Sequence, residues 1–121
     1  MPNNLNSILR VDNNNSINTT ISSTVTNVML EIYARYFAPV YTDGSGNQIT
    51  YESYDYEDLF VQIGSDISTC AVIKKQVGLM WKIVQIPIKR MSAGKIKIYG
   101  GPKGVEIAKV SLKKIQNYET Y

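Results

Sequence analysis

The densest group of chemically capable side chains is the run Tyr51-Glu52-Ser53-Tyr54-Asp55-Tyr56-Glu57-Asp58, where aromatics alternate with carboxylates. Two carboxyl groups can hydrolyse a glycoside, but only at a fixed separation across a cleft, which acids adjacent on one exposed stretch do not set. Tyrosines with polar neighbours suit stacking on a sugar or contact with another protein. The run equally suits a solvated loop or an edge strand whose acids discourage further pairing.

Other chemistry is limited by composition. The 121 residues contain no histidine, so Ser-His-Asp and Cys-His sites, histidine zinc sites and histidine acid-base pairs are excluded. The single cysteine, Cys70, excludes an intramolecular disulfide and a CxxC site, and its apolar neighbours Ala71-Val72-Ile73 predict a small buried side chain. Asp43-Gly44-Ser45-Gly46-Asn47 starts like a calcium loop. However, Gln48 stands where glycine is needed and Tyr54 where glutamate is needed, so a hairpin turn is the better reading. Gly100-Gly101-Pro102-Lys103-Gly104 follows a strand pattern as phosphate loops do, but a β pattern follows it instead of a helix. No catalytic, metal or cofactor site is expected.

The net charge of +3 conceals a polarity. Residues 1–70 hold Arg10 and Arg35 against eight acids, a balance of −6, whereas residues 71–121 hold eleven cations against Glu106 and Glu119, a balance of +9. Either acidic strands pair with basic strands within one sheet, or an acidic face of one copy meets a basic face of the next. The lysines, with Lys95 and Lys97 sharing an outward face, could also meet nucleic acid. Such a surface wants stacking aromatics, and this half offers only Tyr99 and Trp81, so nucleic acid is the lesser expectation.

The elements that must position these groups read as strands. From Val28 the even positions Val28, Leu30, Ile32, Ala34, Tyr36, Ala38 and Val40 form one apolar face, although Glu31 and Arg35 at i,i+4 would also suit a helix ending at Pro39. Further strands are expected over 49–53, 59–63, 69–74, 80–88, 95–99 and 105–112, with Pro87 marking an edge or a bulge. Residues 1–17 read as a polar, asparagine-rich N-terminal arm with a small apolar group, Leu5, Ile8, Leu9 and Val11, which favours docking on a neighbour; residues 18–121 read as the folded domain. The first twenty-five residues do not follow a secretory signal pattern, and no stretch is apolar enough for a membrane helix, so synthesis in a cytoplasm is expected.

The segment from Trp81 through Pro87 and Ile88, the Gly94 turn, Lys95-Ile96-Lys97-Ile98-Tyr99 and the final Ile107-Ala108-Lys109-Val110-Ser111-Leu112 resemble the closing strands of carbohydrate-binding-module-like jelly rolls with a galactose-binding-type fold. Upstream, Leu30-Glu31-Ile32-Tyr33-Ala34-Arg35 and 59–63 resemble earlier strands of the same family. Ala108 and Lys109 replace the family's acidic pair, so its structural calcium is not implied. The resemblance implies an all-β antiparallel sandwich of jelly-roll type. It also implies use as a bacteriophage or virus structural component, since similar jelly rolls serve as decorations, fibre domains and adaptors in phage particles. In that use the candidate contact surface comprises Leu5, Ile8, Leu9, Tyr51, Tyr54, Tyr56, Lys95 and Lys97, and the partners are virion proteins or further copies of the chain. The alternatives are a carbohydrate-binding module with Tyr51, Tyr54, Tyr56 or Trp81 as stacking residues, and a small nucleic-acid-binding protein using the lysines.

Overall fold

Strict alternation of apolar and polar residues buries one face of a strand and wets the other, and most of this chain obeys it. In the computed structural model, which describes residues 2–36, 41–49, 56–66, 68 and 70–115, these residues form ten strands and no helix. In chain order they are β1 (Pro2–Val11), β2 (Ile17–Ile21), β3 (Val25–Tyr36), β4 (Tyr41–Thr42), β5 (Gln48–Ile49), β6 (Tyr56–Ile63), β7 (Ala71–Gly78), β8 (Lys82–Met91), β9 (Gly94–Gly100) and β10 (Val105–Lys114). Eight of them make two antiparallel four-stranded sheets, ordered β1-β10-β3-β8 and β2-β9-β6-β7, while β4 and β5 form a separate hairpin.

The two sheets pack face to face on one apolar core, so the described chain is a β-sandwich. Leu30, Ile32, Ala34 and Tyr36 of β3, with Val84, Ile86, Ile107 and Val110, fill it from the first sheet; Leu59, Val61, Ile96 and Ile98 fill it from the second. Alternation along the strands predicts a core of Val28, Leu30, Ile32, Val84, Ile86, Ile96, Ile98, Val110 and Leu112; the first eight are buried, and Leu112 packs partly buried against them. Residues 25–36 are strand and not helix: the alternation through Tyr36 has a period of two, and Glu31 pairs across to Lys113 of β10 rather than along the chain to Arg35. Ala38 and Val40 lie outside the described residues.

Pro87 lies on β8, which among the described residues pairs only with β3, so its missing N–H costs the sheet little. Pro2–Val11, within the stretch expected to be an arm, is β1 and pairs with β10 of its own chain. The ladder runs over Pro2–Asn4 and again over Leu9–Val11, with a register shift between. Val11 is buried opposite Val105, which is the apolar contact that seats this end of the strand.

One end of the sandwich is tied by polar groups. Glu57 is only 5 % exposed, and its carboxylate accepts N–H bonds from Asp58 at 2.9 Å and from Lys103 in the β9–β10 turn at 2.6 Å. A Cβ on Gly101 would collide with that carboxylate, and Gly104, at φ +98°, turns the chain where any other residue would be strained. Beside it, Asp12 accepts the N–H groups of Asn14 at 2.8 Å and Asn15 at 2.9 Å and pairs with Arg10 at 2.6 Å; Arg10 also donates to the Lys103 carbonyl. The β1–β2 turn, the β9–β10 turn and the start of β6 are thereby joined.

The Asn14 N–H, then the Arg10 guanidinium and the Asn15 N–H, hold the Asp12 carboxyl below its usual range, against some desolvation. The folded chain therefore binds this proton less readily than the unfolded chain does. The resulting stability is whole above the ordinary carboxylate range and is lost as pH falls through the lowered folded value. Urea midpoints measured from about pH 6 down to about pH 3 should fall with acidity, and Asp12→Asn should make that decline shallower.

Candidate contact surface

The outer face of the β1-β10-β3-β8 sheet takes its side chains from the odd positions of β3 and their neighbours. Register sets Tyr33 between Lys109 of β10 and Ile83 of β8, and Glu31 between Ser111 and Gln85. Trp81, immediately before β8, stacks on Tyr33 with ring centroids 5.0 Å apart, and the Arg35 guanidinium lies 4.7 Å from its ring centroid. Arg35 in turn pairs with Glu106 at 2.9 Å. Ile83, set beside Tyr33 by the register, is 55 % exposed, and Met80, which precedes Trp81 in the chain, is 82 % exposed. Tyr33, Trp81 and Ile83 thus form an apolar corner with a charged rim.

A shallow cleft of about 250 Å³ lies on that face, lined by Glu31, Tyr33, Ile83, Lys109, Ser111 and Lys113. Lys113 pairs with Glu31 at 2.8 Å and Gln85 donates to it at 2.8 Å; these two contacts, Lys113 foremost, draw the Glu31 carboxyl below its usual range. An ionised carboxylate so neutralised is a rim group and not a general acid. A larger cleft of about 560 Å³ at the far end is lined by residues 63–66, Ala71 and 87–93. There the Asp66 carboxylate is occupied by the hydroxyl and N–H of Ser68, which lower its pKa.

The second sheet presents a different outer face. Phe60 of β6 and Tyr99 of β9, paired across the ladder, stack with centroids 5.0 Å apart, and the Lys97 ammonium lies 5.2 Å from the Tyr99 centroid. Lys74, opposite Phe60 on β7, reaches Asp58 at 3.3 Å. Together with Glu31–Lys113, this pair joins an acid of the first half to a base of the second across neighbouring strands, as the in-sheet reading of the charge split requires. Among the described residues no ion pair engages Lys95, Lys97 or Lys109.

The sequence-derived candidates do not converge. Ile8 and Leu9 stand on β1, Lys95 and Lys97 on the outside of β9, and Tyr56, half exposed, opens β6, where its carbonyl accepts from Lys103. Trp81 is on the opposite outer face from the lysines. Tyr51, Tyr54 and the Leu5 side chain lie outside the described residues. Cys70 is half-buried where a buried thiol was expected, because it ends the turn before β7, an edge strand open to solvent along most of its length. The Asp43 turn is a hairpin whose carboxylate is spent on the N–H groups of Ser45 and Asn47.

Tyr33, Met80, Ile83 and Phe60 escaped the sequence reading. Alternation alone turns Tyr33 outward, but only the β3–β8 register brings Ile83 beside it. No protein-family model matches the chain, and no curated protein is similar to it in sequence.

The Tyr33–Trp81 stack should be measurable as a coupling. Tyr33→Ala, Trp81→Ala and the double variant, compared by urea unfolding, should give an interaction energy of about 0.5–1.5 kcal/mol. Additive losses would mean that the two rings contribute separately.

Proposed function

We propose that this chain is a non-enzymatic structural component of a virus or bacteriophage particle, a capsid decoration or tail-associated protein of jelly-roll type that acts through protein–protein contacts. The observation that carries the contact role is the apolar corner of Tyr33, Trp81 and Ile83. Large apolar side chains grouped on a sheet face and rimmed by Glu31, Arg35, Lys109 and Lys113 have the composition of a protein interface.

Strand order supports the jelly-roll part of the reading. With the β4–β5 hairpin set aside, the first of the eight sandwich strands pairs with the eighth, the second with the seventh, the third with the sixth and the fourth with the fifth. That is the pairing of one long hairpin rolled into two sheets, an architecture used by viral capsid and lectin domains. Ile8 and Leu9 of β1, 50 % and 41 % exposed, would add a further contact group.

Polyanion binding is the second reading, favoured by the Phe60–Tyr99 pair between Lys74 and Lys97. The carbohydrate reading has less support, since the Trp81 ring is already engaged by Tyr33 and Arg35.

Antiserum raised against the recombinant chain should label particles purified from its source under immunogold electron microscopy. Label confined to the particle-free fraction would overturn the proposal. In particles reassembled with tagged chain, Ile83→Lys should lower incorporation about tenfold while leaving the unfolding free energy within about 0.5 kcal/mol of wild type. Affinity for single-stranded DNA that drops steeply with salt would favour the second reading instead.

A further inference from the structure

The four edge strands of the sandwich are not equally protected. β8 carries Lys82, Lys89 and Arg90 and is interrupted by Pro87, and β7 carries Lys74 and Lys75 at its centre. β1 leaves its ladder between Asn4 and Leu9 and carries Arg10. Charges, proline and irregular register are the usual means by which an edge refuses another strand. β2, Ile17-Asn18-Thr19-Thr20-Ile21, has none of them: it is uncharged, rich in β-branched residues and paired with β9 residue by residue without a break. Its other side carries no strand among the described residues.

The sequence of β2 is also nearly the same read from either end. When two copies run antiparallel about Thr19, Ile17 stands opposite Ile21 of the second copy, Asn18 opposite Thr20, and Thr19 opposite Thr19. Ile17, Thr19 and Ile21 share the inner face with Ile98 and Ile96, so the apolar layer continues across the join. Asn18 and Thr20 share the outer face with Lys97 and Lys95, and no like charges are brought into direct opposition. Self-pairing of β7 about its midpoint would instead set Lys74 against Lys75. β1 lies against β9 at the same margin, which brings the half-exposed Ile8 and Leu9 to the side of the sandwich where β2 would join.

We infer that this chain forms a two-fold dimer through antiparallel pairing of β2 with β2 of a second copy, uniting the two β2-β9-β6-β7 sheets into one continuous sheet. An interface about a two-fold axis uses the same patch on both partners, which the symmetry of the β2 sequence permits. The inference deepens the assembly reading by naming one partner; it rests on that reading for its purpose, while its physics depends only on the edge.

Sedimentation equilibrium over a wide concentration range tests it. Wild type should pass from 13.6 kDa at high dilution to twice that mass. Asn18→Glu with Thr20→Glu sets glutamates against each other across the join while placing each beside Lys97 or Lys95 of its own sheet, so folding is kept and dimerisation should weaken about tenfold or more. Asn18→Glu with Thr20→Lys sets opposite charges across the same join and should recover the dimer. Thermal melts of each variant verify folding. A wild type that is monomeric at every concentration, a dimer untouched by the paired glutamates, or a folded Glu/Lys variant that does not recover would overturn the inference. A monomeric chain that still labels particles would separate this failure from failure of the assembly reading.

Discussion

The apolar layer between the two sheets is built from alternate residues of eight strands, and the period of two makes its demands rigid. Seating Leu30, Ile32 and Ile98 inward fixes Glu31, Tyr33 and Lys97 outward, and a slip of one residue in β3 would exchange the two sets. The core thus determines which side chains the molecule shows. It supplies none of the chemistry itself, because its members are almost wholly aliphatic and close-packed.

Polar groups fasten this layer at one end. Glu57 is tolerated beneath the surface because the β9–β10 turn gives it a backbone N–H, and the turn holds that shape because Gly101 leaves room and Gly104 takes a left-handed conformation. Asp12 does similar work for the turn after β1 through Asn14, Asn15 and Arg10. These carboxylates are therefore consumed in holding turns. Glu31, Asp58 and Glu106 instead pair with the cations Lys113, Lys74 and Arg35 on neighbouring strands. Among the described residues Lys95 and Lys97 of β9 and Lys109 of β10 enter no ion pair.

Much of the fold was legible because strand periodicity is local. The inward set of β3, the outward lysines of β9 and the turns at Asp43 and Gly101 all follow from a few neighbouring residues. β1 was not legible, since its strand character depends on β10, about a hundred positions away, and its own composition is polar. The surface groups were harder still. Phe60 meets Tyr99, and Tyr33 meets both Trp81 and Ile83, only through pairings between distant strands, and nothing in the chain announces which strands adjoin. The charge split was visible at once, but its partial resolution inside the sheets by Glu31–Lys113 and Asp58–Lys74 required the register.

An almost wholly aliphatic core leaves the faces and edges of the two sheets open to contact, and hydrogen exchange read by mass spectrometry at low and high protein concentration locates such contacts directly. Protection should rise with concentration over residues 17–21 and stay constant along β7 and β8, whose edges are guarded by charge and proline. Protection that is unchanged everywhere, or that rises along β8 in place of β2, would contradict this view of the molecule.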